Sequence, residues 1–167
     1  MPPRPLARAL AAVLLAGGLL APAAPTVAAV PHPTGAAPAR DLVADEAHGG
    51  HTLARHVGLT DEQLRDRLRR EPRIPAASAF TDRPTAERVV GAALADAGGR
   101  VEAWVRRTGR RPNLALDYRV TGTAVIGRSL LRGERWPRPC TAATVVLRWD
   151  DRRGAFYVLT AYPEVAR

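Results

Sequence analysis

The acid–base chemistry this sequence can offer near neutral pH rests on four histidines, His32, His48, His51 and His56, because imidazole is the side chain that titrates there. The last three are clustered. His48 and His51 stand three apart, and His51 and His56 five apart. That spacing matches no standard zinc signature, and acidic or Cys ligands are not concentrated around it. No metal or cofactor is expected. Other familiar chemistry is missing. Ser78 and Ser129 lack a Gly-x-Ser-x-Gly elbow, and no Gly-rich phosphate loop occurs. Cys140 is the one cysteine, beside the loop-like run Trp136-Pro137-Arg138-Pro139, and reads as a plain packed or partly exposed thiol rather than a nucleophile. A second group of polar side chains closes the chain. In a strand over 155–162, Phe156, Val158, Thr160 and Tyr162 should share one face, with Tyr157, Leu159 and Ala161 on the other. The first face turns from apolar to hydroxyl-bearing, although Thr and Tyr are also ordinary strand formers.

The elements that must position these residues come in two halves. His51 to Val57 allows two helical turns. Thr60 and Gln63 have capping-box spacing, Leu64 and Leu68 form one face of the helix that follows, and Pro72 ends it. Ala76 to Phe80 reads as extended. Asp82 and Pro84 start a helix whose buried stripe is Ala86, Val89, Val90, Ala93 and Leu94, with a stop at Gly98-Gly99. A short helix with Val101, Trp104 and Val105 inward follows. Beyond Gly109 the pattern becomes strand-like over 114–120, 123–126, 144–149 and 155–162. The last two flank Asp150 to Gly154, a hairpin signal. Helices followed by antiparallel strands define an α+β class.

Composition sets the partners. The 167-residue chain has 25 basic residues, all arginine, against 16 acidic ones, for a net charge of +9. Arginine over lysine reflects GC-rich codon usage; the positive sign points to an anionic partner. Residues 1–29 read as a signal peptide: Arg4 and Arg8, an apolar run to Leu20, then Val27-Ala28-Ala29 as a cleavage site. The run is too short and interrupted to span a membrane well, so no stable insertion is expected after cleavage. Its removal takes two arginines and no acid from the +9, leaving +7. Residues 30–47, rich in Pro and Ala, read as a flexible linker. Residues 48–167 then form one domain, long enough for a core without disulfides.

The stretch Gly49-Gly50-His51 through Val57-Gly58-Leu59-Thr60-Asp61, with Arg67-Leu68 after it, resembles the opening of the bacterial RNase A-like toxin domain. That family is found at the C-termini of contact-dependent inhibition effectors and other polymorphic toxins. Ala77 to Asp82 with Thr85-Ala86-Glu87 resembles its middle block, and Tyr157 to Pro163 its closing strand. The resemblance covers residues 48–163. It implies N-terminal helices followed by a curved antiparallel sheet, an RNase A-like fold without disulfides, and metal-independent RNA cleavage. It points to His56, Arg67, Thr160 and Tyr162 as catalytic residues, with His51 as a further acid or base. Leu59 stands where the family usually has lysine, and a signal peptide and short linker replace the long delivery protein.

The chemistry such a site needs is compatible with these residue types. RNA carries its own nucleophile, the 2′-hydroxyl. An imidazole can serve as base or acid. Arginine fits phosphate oxygens, and hydroxyls can donate to the developing phosphorane charge. The leading expectation is a secreted ribonuclease acting on RNA such as tRNA, with a cognate immunity protein as partner. The competing expectation is a non-catalytic basic module that binds nucleic acid or another anionic partner.

Overall fold

A computed structural model describes residues 37–166; the expected signal peptide, His32 and the first part of the expected linker lie outside the described residues. Five helices are described: α1 (Leu42–Ala47), α2 (Thr52–His56), α3 (Asp61–Arg70), α4 (Arg83–Asp96) and α5 (Gly98–Val105). The strands are β1 (Ala76–Phe80), β2 (Leu114–Arg119), β3 (Gly127–Leu131), β4 (Arg138–Cys140), β5 (Ala142–Asp150) and β6 (Ala155–Glu164). They make two antiparallel three-stranded sheets, ordered β1-β3-β4 and β2-β5-β6. The class is therefore α+β, with β1 interposed among the helices.

The local signals act as their chemistry dictates. Thr60 Oγ1 accepts from Gln63 N at 3.2 Å while Gln63 Oε1 accepts from Thr60 N at 2.7 Å, a complete capping box on α3. Asp82 accepts from Thr85 N at 2.8 Å to start α4. Leu64 and Leu68 of α3 pack on Ala77, Ala79 and Leu130 of the first sheet, and burying each leucine is worth roughly 1.5–3 kcal/mol. The larger core lies against the second sheet. Leu42, Val89, Val90 and Trp104 meet Leu116, Val145, Leu147, Val158 and Ala161 there.

Four expectations change. Residues 42–47, expected within the linker, form α1; Asp41 caps it, and Leu42 and Asp45 are buried. A six-residue helix is too short to show a period amid Pro and Ala. The Gly98-Gly99 pair does not end helical structure. α5 resumes one residue after α4, around Ala97, whose N–H donates to Ala93 O while its carbonyl accepts from Val101 N. Residues 123–126 are not a strand; the strand begins at Gly127, where β3 pairs with Phe80. The loop-like run at 136–139 ends in the short edge strand β4. Cys140 is fully buried, and burial pushes its thiol up to about 12, which makes it a packing residue.

Candidate active site

The histidine-bearing segment is built onto the outer edge of β6. Among the described residues that edge has no strand neighbour, and side chains and backbone from 45–52 satisfy it instead. Asp45 Oδ1 accepts from Val158 N at 3.1 Å, Leu159 O accepts from His51 N at 3.0 Å, and Thr52 Oγ1 accepts from Ala161 N at 2.9 Å. Gly50 makes this approach feasible, since a Cβ there would lie 2.5 Å from Val158 O and 2.9 Å from Asp45 O. Gly49, at φ +100°, supplies the left-handed turn that leads in. Asp45 is itself held by a bidentate pair with Arg40 at 2.6 and 2.8 Å. The Gly-Gly-His triplet is thus a docking device that places α2 against the last strand.

His56 ends α2 and is 7 % exposed. Its Nδ1 lies 3.2 Å from Ser78 O on β1 and 3.4 Å from Arg67 Nη1. A carbonyl only accepts, and a guanidinium only donates. The Ser78 contact assigns the proton to Nδ1, so Nε2 carries the lone pair. Burial, then the Arg67 charge, lowers its pKa from 6.5 to about 4, against the opposing pull of Ser78 O. At neutral pH His56 is therefore a neutral imidazole. His51 sits at the N-cap of α2, partly exposed, and is also lowered, by burial and then by Arg55.

Arg67 reaches this imidazole from α3. Its Nη1 donates to Arg55 O at 3.0 Å, and its Nε lies 3.3 Å from Glu71 Oε1 one turn on. Two anchors fix the guanidinium with 15 % of its side chain exposed. Nη2 has no hydrogen-bond partner among the described residues, which leaves one end of the fork for an anion.

The last strand does not alternate as expected. The β5–β6 register shifts between Val146 and Leu147: Val146 pairs with Thr160, but Leu147 pairs with Val158. Leu159 is the extra residue of a β-bulge, and a bulge re-aims the side chains beyond it. Phe156 and Val158 face the core with Ala161 and Pro163, while Thr160 and Tyr162 turn to the opposite face. The expectation that Phe156 and Val158 share a face with Thr160 and Tyr162 is therefore corrected. The register places Thr144 opposite Tyr162, and Asp117 opposite Thr144. Thr144 Oγ1 donates to Asp117 Oδ1 at 3.3 Å.

Tyr162 packs its ring 5.5 Å from that of His56, tilted by 37°. Burial and the nearby Glu164 raise its pKa, so the phenol stays protonated and can donate. Thr160 Oγ1 is buried and has no hydrogen-bond partner among the described residues, an orphan that costs stability.

The structure thus brings His56, Arg67 and Tyr162 into contact from three elements. Thr160 shares the Tyr162 face, and His51 lies within electrostatic reach of both His56 and Arg67. Ser78, Thr144 and Asp117 were not anticipated; cross-strand register and a backbone carbonyl leave no mark in a single sequence. Among the described residues no group of three or more His, Cys, Asp or Glu could hold a metal ion.

Comparison with known proteins gives a coherent result. The family described as the bacterial CdiA-CT RNase A domain matches residues 50–163. A crystal structure of a CdiA-CT/CdiI complex from Y. kristensenii 33638 is similar at 29 % identity and a TM-score of 0.60, covering 69 % of this chain and 99 % of that one. No curated protein matches the sequence.

Proposed function

Because the chain belongs to the bacterial CdiA-CT RNase A domain family, we propose that it is a toxin endoribonuclease that cleaves RNA without a metal. One observation carries this reading: a neutral imidazole, a fixed guanidinium and a hydroxyl-bearing strand face converge from α2, α3 and β6.

His56 Nε2 takes the proton of the 2′-hydroxyl. The 2′-oxygen attacks phosphorus, the bond to the 5′-oxygen breaks, and a 2′,3′-cyclic phosphate forms. Arg67 and the Thr160 hydroxyl bind the phosphate oxygens as charge accumulates in the transition state. The leaving 5′-oxygen takes a proton from the Tyr162 phenol, which burial keeps protonated, or from His51 once the substrate phosphate has offset the Arg55 and Arg67 charges that lower its pKa. An approaching phosphate offsets the Arg67 charge and so raises the basicity of His56 in the complex. DNA, with no 2′-hydroxyl, supplies no nucleophile.

Incubation of the purified protein with tRNA in chelator tests this. Cleavage to cyclic-phosphate ends, abolished by His56→Ala, is expected. Equal binding of RNA and DNA with no cleavage of either would instead favour a non-catalytic basic module.

Two further parts of the proposal rest on the sequence and on the similar structure. The charged start, apolar run and small-residue site of residues 1–29 direct export, and a cognate immunity protein protects the producing cell; the similar solved structure is itself a complex with CdiI. Among the described residues no helix is long and apolar enough to cross a membrane.

A further inference from the structure

The chain has three tryptophans, and the structure uses them in two ways. Trp104 and Trp149 meet edge to face at 6.1 Å at the core, and the Arg111 guanidinium stacks on Trp149 at 4.1 Å. Trp136, in the loop between β3 and β4, is turned outward and 63 % exposed. Two guanidinium groups flank its ring, Arg135 at 5.1 Å and Arg65 at 5.9 Å from the centroid. At those distances neither stacks on the indole as Arg111 does on Trp149, so most of its surface stays free.

The platform is braced. Arg65 Nη2 donates to Arg135 O at 3.3 Å, which ties the loop to α3. Gly133 turns the loop at φ +89°, and Arg132 fastens its base with bonds to Leu68 O, Glu71 O and Ile74 O. Among the described residues neither Arg65 nor Arg135 has a carboxylate partner, although Arg69, Arg128 and Arg138 nearby do. Two uncompensated cations beside an exposed indole match what a single-stranded nucleic acid presents. Phosphate seeks the guanidinium, and an unpaired base stacks on the ring whatever its sequence.

Position relates this patch to the catalytic group. Arg65 and Arg67 lie two residues apart on α3, so they project about 200° apart around the helix. Arg67 meets Arg55 and His56 on one flank, and Arg65 meets Arg135 on the other. The two sites therefore lie on opposite flanks of α3, at least one helix diameter apart, about 10–12 Å, so one strand must run across α3 to meet both.

We propose that Trp136, with Arg65 and Arg135, forms a distal subsite that stacks an unpaired base of single-stranded RNA whose scissile phosphate lies at His56 and Arg67. This rests on the ribonuclease reading. Binding of a fluorescent 2′-O-methyl RNA octanucleotide, which cannot be cleaved, is measured on the full chain for wild type, Trp136→Ala and Trp136→Phe. Affinity falls about tenfold or more in Trp136→Ala and is largely retained in Trp136→Phe. With cleavable substrates, Trp136→Ala lowers the octanucleotide-to-dinucleotide ratio of kcat/KM by a similar factor, chiefly through KM. Near-UV circular dichroism of Trp104 and Trp149 verifies the fold. Unchanged octanucleotide affinity in folded Trp136→Ala overturns the subsite. So does loss of affinity for a cognate inhibitor alone, which would assign the patch to a protein partner. An active Trp136→Ala enzyme with an unchanged ratio sinks the subsite and leaves the ribonuclease reading standing. A wild type that binds the octanucleotide through Trp136 but cleaves nothing sinks the catalytic reading.

Discussion

Acidification should weaken this protein through His56, by an amount its environment sets. In the unfolded chain the imidazole takes up a proton near pH 6.5; in the folded chain burial and Arg67 delay that to about 4. Between those values the unfolded state binds more protons, so stability is lost as pH falls. It is intact above pH 6.5 and its loss is complete below 4. The separation is worth about 3 kcal/mol, of which roughly 2 kcal/mol is gone by pH 5. His56→Gln cannot titrate. Urea unfolding of wild type and His56→Gln at pH 7, 6, 5 and 4 therefore isolates the effect, because carboxylates and His51 titrate in both chains. The wild type should lose about 3 kcal/mol more than His56→Gln between pH 7 and 4. A stability difference independent of pH would refute the buried, cation-flanked imidazole.

Three more outcomes follow from the same geometry. Thr160→Val removes a hydroxyl with no internal partner, so stability by urea titration should hold or rise slightly, while kcat on RNA should fall by about 10²–10³ if that hydroxyl binds the phosphorane. Gly50→Ala drives a methyl to 2.5 Å from Val158 O and should cost about 1–3 kcal/mol in the same titration, with loss of cleavage as the histidine segment leaves β6. Asp45→Ala strips the acceptor from Val158 N and leaves Arg40 unpaired. Because Arg40 stays 30 % exposed, the same urea titration should read a loss of about 3 kcal/mol, the lower end for a broken buried pair.

The site is only partly legible in the sequence, for physical reasons. Caps and periods act within one turn, so Thr60, Asp82 and the Leu64/Leu68 stripe announce α3 and α4 directly. The resemblance singles out His56, Arg67 and Tyr162, and the structure brings those three together. Their convergence depends on a bulge at Leu159, which strict alternation over 155–162 hides, because one extra residue reverses every later side chain. Asp45 is equally hidden. It lies in a Pro- and Ala-rich run, and its partner is a backbone N–H 113 residues away. Gly98-Gly99 misleads because glycine ends helices often, yet both positions have open space around them and the chain resumes its helix at once. Ser78 acts through its carbonyl, which any residue would provide.

Cleavage of tRNA in the presence of chelator, compared between wild type and His56→Ala with the folds matched by circular dichroism, bears most directly on the central claim. The geometry predicts 2′,3′-cyclic phosphate ends from the wild type, no cleavage by His56→Ala, and intact DNA in both. Intact tRNA with folded wild type, or equal cleavage by the two proteins, would contradict it.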